Sequence, residues 1–415
     1  MLKNFKEAFF IFTTFLILEY SYIHFISPAF GYSGFNLDYS GNYVLNTSIY
    51  IIVIVFSVLV SQVKYSDFSK ITIFIILSFL IYPSIILYKY SHNNFFIVLI
   101  NILLFAILYV FLNYVNISIP KKKLNTDSSK YLLFLLTIIL FIPFYLSFGL
   151  NLNINTIFLN EIYETREDYS YVSNTLLDYT FSVLSKIVAP IGLIISLDKK
   201  NYSLSIIFSI IILYMFFISG SKIVLFGYIS ILFFYYLNKK RRFLFLLIIF
   251  NSTLVSTILL AQLFESPLLG SLITRRAFFL PSLLDFYYFD FFYNNPIYYS
   301  HSFLSFLFDY PHELPPKNLI AIQYFDNFQM NANNGLISDG YMNLGFTGVV
   351  INILVFSIIM TFIKSLKINL KYYGLIFIFI FSIISSPLST VIITHGGLLL
   401  LIILTLSLKN SHEGK

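Results

Sequence analysis

Seven basic residues are the first chemistry this sequence offers: Lys89, Arg166, Lys186, Lys222, Arg275, Arg276 and Lys317. Arg275 and Arg276 are adjacent, and a guanidinium is a planar fork that matches phosphate oxygens bidentately, where a lysine gives a point charge. Arg166 stands in the acidic run Glu161-Ile-Tyr-Glu164-Thr-Arg166-Glu167-Asp168. It reads either as part of a salt-bridged loop or as an anion clamp kept oriented by its carboxylates. Lys222 closes Ile218-Ser-Gly-Ser-Lys222, which is either a tight turn with a snorkelling lysine or a functional cation at membrane depth. Lys186 lies further inside its helix, with Glu19 as a candidate partner. The histidines do not suggest a metal: His301 and His312 are eleven residues apart, and His312-Glu313 between Pro311 and Pro315-Pro316 reads as a rigid polar turn. Zero cysteines exclude disulfides, thiolate metal sites and thiol catalysis.

The elements that must hold these residues are membrane helices. A chain of 415 residues with 58% hydrophobic content is not a soluble globular protein. Apolar stretches near spanning length recur at about 8–26, 43–63, 71–90, 95–115, 131–150, 179–197, 203–218, 222–238, 243–263, 344–363, 372–388 and 391–408. The expectation is an all-α polytopic membrane protein of about 12 transmembrane helices. The first stretch contains Glu19 and has no small-x-small cleavage site, so it reads as a retained span. Twelve spans put both termini on one side. That side then receives 19 of the 26 Lys and Arg, all but the seven above, which makes it the cytoplasm. The net charge of +7 is thereby topogenic, and a nucleic-acid partner is excluded. With no tryptophan, the 33 tyrosines must supply the interfacial aromatic belt.

Three parts follow: helices one to nine with short loops (1–263), one large external loop (264–343), and helices ten to twelve with the tail (344–415). Within the loop, Pro281 and the capping-box-like Ser282-Leu-Leu-Asp285 predict a short helix running to about Pro296. Being Phe- and Tyr-rich on two faces, it should lie in the headgroup layer. Arginines beside such a helix suit a lipid-linked phosphate; the competing partner is ordinary phospholipid.

Three segments of the loop together resemble a known family. They are Arg275-Arg-Ala-Phe-Phe-Leu-Pro281, Asp285-Phe-Tyr-Tyr-Phe-Asp290 with Pro296, and Asn331-Ala-Asn-Asn-Gly335-Leu-Ile-Ser-Asp339-Gly-Tyr-Met-Asn-Leu-Gly345. They look like the O-antigen and capsular repeat-unit polymerases (Wzy type), and Gly220-Ser-Lys222 looks like that family's Gly-Ser-Arg/Lys element. The resemblance implies a GT-C-like architecture in the bacterial cytoplasmic membrane. It also implies an enzyme that joins undecaprenyl-diphosphate-linked oligosaccharides at the external face, with no nucleotide sugar, metal or cofactor, and with a chain-length regulator as partner. By the same resemblance Arg166, Lys222, Arg275 and Arg276 engage the diphosphate; the lysine at position 222 departs from the arginine common there. Tyr287, Tyr288, Asn333 and Asn334 would then serve the sugars by stacking and hydrogen bonding. Asp339 would be the general base, its competing role being to cap span ten. An O-antigen ligase and a lipid-linked oligosaccharide flippase are the alternatives. The first usually places a histidine where this chain has Asp339, and the second needs no loop of this size.

Overall fold

The computed structural model describes residues 2–38, 43–63, 66–91, 94–118, 129–150, 162–237, 242–263, 271–302, 304–328 and 330–407. The cations Lys64, Lys121, Lys122, Lys123, Lys239, Lys240, Arg241, Lys409 and Lys415, the carboxylate Glu161, and the start of the excursion at 264–270 lie outside them. Every regular element among the described residues is helical. Seven helices are long and apolar enough to cross a membrane: Lys3–Ser33, Asp67–Tyr90, Phe95–Tyr114, Thr175–Asp198, Tyr202–Ser219, Arg242–Leu263 and Leu336–Ser365. Four further apolar helices are shorter, Asn46–Gln62, Leu133–Phe148, Lys222–Tyr236 and Leu370–Ile384. The chain is a polytopic helical membrane protein.

Proline shapes these helices in a repeated way. Four stretches are wound as π-helix: Tyr22–Ile26, Leu77–Ile81, Leu184–Val188 and Ser271–Phe279. Each is followed, two residues on, by a proline in the first turn of the next helical segment: Pro28, Pro83, Pro190 and Pro281. The cause is local. A proline ring collides with the carbonyl four residues back and has no N–H to offer it. Widening the preceding turn lets the residue before proline reach five back instead, and the amides of Ser27, Tyr82 and Ala189 donate to the carbonyls of Tyr22, Leu77 and Leu184. Arg275, Arg276 and Lys186 all sit in these widened turns.

Two compact units divide the chain: Met1–Asn116 with Lys239–Thr361 and Ile384–Leu388, and Ile117–Asn238 with Phe362–Ile383 and Ser389–Lys415. Polar staples join helices inside the first. Thr14 Oγ1 donates to Asn251 Oδ1 at 2.8 Å, and Asn251 Nδ2 donates to the Phe10 carbonyl. Lys70 bonds Glu7 at 2.6 Å. The partner of Glu19 is Lys89, at 2.6 Å, in place of the Lys186 expected from sequence. Tyr50 and Tyr90 hydroxyls complete that carboxylate, and both rings lie under the ammonium. A buried ion pair costs desolvation unless its remaining positions are filled, and here they are. In the second unit, a Cβ on Gly192 would stand 2.3 Å from the Phe208 ring, so that glycine sets how closely its helix meets Tyr202–Ser219.

Candidate functional site

The first unit contains a helix that folds back on itself. Leu336–Ser365 is broken at Leu344 and Gly345, the latter with φ +61°, a left-handed conformation natural to glycine. Beyond the break the chain returns along its own path. Asn352 Nδ2 donates to the Leu336 carbonyl at 3.1 Å, although a straight helix would hold these residues about 24 Å apart. A Cβ on Gly340 would lie 2.6 Å from the Gly348 carbonyl oxygen, so both glycines are needed for the arms to touch. Residues 336–343 are therefore a half-helix, antiparallel to the span that follows. Its first residue lies level with Asn352, about 9 Å along the axis from Phe346.

This corrects the picture of Asp339 on a surface turn. Asp339 is 2% exposed and lies inside the half-helix, so it is not the cap of a span. Asn334 and Asn343 each donate to its Oδ1 at 3.1 Å, and Asn352 reaches Oδ2 at 3.4 Å. Three amides and no cation hold this carboxylate among the described residues. The cap comes from elsewhere: Asp285 Oδ1 accepts the Ser338 backbone amide at 3.2 Å, and Ser338 Oγ accepts the Gly335 amide at 2.8 Å. These bonds satisfy two of the donors that every helix start leaves free. Asp285 is itself buried, and burial pushes its carboxyl up to about 7 against the pull of its Ser338 hydrogen bonds.

The aromatic helix starts as expected, with Pro281 in its first turn, and spans Leu280–Phe291. It does not form the Ser-x-x-Asp box, since Ser282 Oγ donates to the Leu80 carbonyl and Asp285 goes to Ser338. Nor does it face lipid headgroups: Ser282 to Phe289 are buried. Phe289 stacks on Tyr341 with ring centroids 3.7 Å apart. Tyr288 is fully buried and its hydroxyl donates to the Ala332 carbonyl at 2.8 Å, so it braces the asparagine segment. Tyr287 stacks on Tyr324 at 4.2 Å, and its hydroxyl fills the place a Cβ would take on Gly34, whose φ is +92°. Of the expected sugar-binding groups, Asn333 is exposed and Asn334 is spent on Asp339.

Arg275 lies over Phe30, with its guanidinium carbon 4.0 Å from the ring centroid. Its Nε is buried and meets no hydrogen-bond acceptor, and no carboxylate pairs with the residue among those described. Burial pulls its pKa below the usual arginine value, with Tyr32 opposing, and burial does the same to Arg276. His301 and His312 flank the Tyr310 ring at 6.0 and 5.5 Å.

In the second unit Arg166 is taken up by a carbonyl. Its Nε and Nη2 donate to Gly220 O at 3.3 and 3.2 Å, and no ion pair holds it among the described residues. Gly220 is the left-handed end of Tyr202–Ser219, so the guanidinium sits where that helix's dipole favours a cation. Lys222 begins the next helix, Lys222–Tyr236, two residues on. The structure thus joins Arg166 to the Gly-Ser-Lys break. Lys186 is 9% exposed in its widened turn. His395 precedes Gly396, which packs on Ile187.

Sequence reasoning missed Asn343, Asn352 and the capping role of Asp285. Asn352 did leave a signal, an amide alone in the apolar run Val349-Val-Ile-Asn352-Ile-Leu-Val-Phe356. No family model matches the chain, and no curated protein or solved structure does.

Proposed function

We propose that this chain is a polymerase joining undecaprenyl-diphosphate-linked oligosaccharide repeat units into a surface polysaccharide, O-antigen or capsule. In this reading about twelve spans, in a GT-C-like arrangement with both termini cytoplasmic, hold the excursion at the external face of the bacterial cytoplasmic membrane. A chain-length regulator is the protein partner. The observation that carries the proposal is Arg275, a half-buried guanidinium on an aromatic ring with a donor aimed at no acceptor and Arg276 beside it.

A diphosphate on an anomeric carbon is already a good leaving group, so catalysis needs charge stabilisation and two oriented substrates. The acceptor hydroxyl oxygen bonds to the anomeric carbon as the bond from that carbon to the diphosphate breaks. The electron pair leaves with the diphosphate, where the arginines offset the growing charge. The hydroxyl proton passes to Asp339, whose Oδ2 has, among the described residues, only the long Asn352 contact to give up. Alanine at Arg275 or Arg276 removes charge-assisted hydrogen bonds of about 1.5–3 kcal/mol, roughly a ten- to hundred-fold loss of rate per residue. Lysine restores part of this, since the fork is gone. Cells carrying the double alanine variant at normal abundance should display single repeat units in place of a ladder of long chains. An unchanged ladder would remove the diphosphate clamp and with it the proposal.

A further inference from the structure

The excursion contains a second feature that its phosphate chemistry does not use. After Tyr299 the backbone winds into successive tight turns, in which Leu304 N donates to Tyr299 O, Ser305 N to Ser302 O, and both Leu307 N and Phe308 N to Leu304 O. The result is a compact knob. At its outer end Phe306 is 78% exposed, Leu307 62% and Phe308 45%. Its base is fastened: Ile297 N donates to Met342 O, Tyr298 N to Asn343 O, and Tyr299 N to Asn343 Oδ1, each at 3.0 Å. Tyr298 and Tyr299 adopt φ of +50° and +58°, a left-handed conformation that these bonds hold in place.

The place of that base identifies what covers the knob. Met342 and Asn343 end the half-helix, next to the start of the span from Phe346. Along that span Phe346 is 46% exposed, and Ile351 and Ile358, which share another face, are each 49% exposed, apolar side chains of the kind an embedded helix turns to lipid. The knob is thus tied to the level of Phe346, where the exposed apolar side chains of that span begin. No lysine or arginine occurs between Arg276 and Lys317, so the knob carries no lysine or arginine of its own for anionic headgroups. We propose that Phe306, Leu307 and Phe308 form a wedge seated in the acyl–glycerol boundary of the leaflet next to the excursion. The surface role expected of the aromatic helix passes to this knob, and the bilayer itself is its partner.

The absence of tryptophan gives a direct test. Phe306→Trp gives the full-length chain one fluorophore, and Leu307→Trp places it independently on the same wedge. In zwitterionic phosphatidylcholine vesicles, emission should be blue-shifted from free tryptophan. Lipids brominated near the carbonyl end of the acyl chain should quench it, and aqueous iodide should not. Quenching by iodide with brominated lipid inert would mean the wedge stands in water and would overturn the proposal. Resistance to both quenchers would place it against protein, a second copy or another chain, and would overturn it equally. Loss of one variant to misfolding leaves the other to decide.

Discussion

At the scale of single residues, two carboxylates carry distinct expectations. Asp339→Asn keeps an oxygen for Asn334 and Asn343 but cannot accept a proton. It should abolish polymerisation at unchanged protein abundance, and an active Asp339→Asn chain would show that the base lies elsewhere. Asp339→Leu removes the acceptor of Asn334 and one of the two acceptors of Asn343 and of Asn352, and should deplete the protein from the membrane, a buried donor left unsatisfied costing about 1–3 kcal/mol. Asp285 should give the fold a pH dependence. Its carboxyl moves from an ordinary 3.8 to about 7 because it is buried, so the folded state binds the proton more tightly than the unfolded one. Stability from this group is therefore full below 3.8 and falls as pH rises to about 7. Asp285→Asn still accepts the Ser338 amide, and it should flatten the slope of melting temperature between about pH 4 and about pH 7. An identical slope in both proteins would assign the effect to another group. Residue types made Arg275, Asp339 and Asn334 legible as chemistry. They did not reveal that Asp339 is enclosed by amides, because the third donor, Asn352, reaches it only through the folded-back helix.

At the scale of elements, hydropathy found the helices and proline predicted where one begins. It did not predict the four widened turns, because apolar content marks where a span lies and is the same whether the turn before a proline is α or π. The hairpin was hidden for a related reason. A glycine inside an apolar run costs a helix only about 1 kcal/mol, so Gly345 alone does not announce a reversal. The reversal is testable in a chain that has no native cysteine. Leu336→Cys with Asn352→Cys should be joined by a short thiol cross-linker, since Asn352 touches the Leu336 carbonyl. Failure to cross-link in a folded, membrane-inserted protein would favour the straight helix, with about 24 Å between the two positions.

At the scale of the whole molecule, composition announced a helical membrane protein and the structure bears this out. The helix count was less legible, because four apolar helices fall short of a clear spanning length. Orientation rests on charge sorting. Reporter fusions at Lys200 and Lys367 should read as cytoplasmic, and those at Arg166, Asp290 and Pro315 as external. A cytoplasmic Asp290 would put the excursion on the wrong side for a lipid-diphosphate donor. The widened turns carry one further consequence for the molecule as a whole. Each takes in one residue more than an α-turn, so the helical wheel slips by about 100° as the chain passes through it. A stripe of positions drawn in one phase before Pro83 or Pro190 points to a different neighbour after it. The proline-bearing spans thus change address partway through the bilayer, and a single helix can show its cytoplasmic half to one environment and its other half to another.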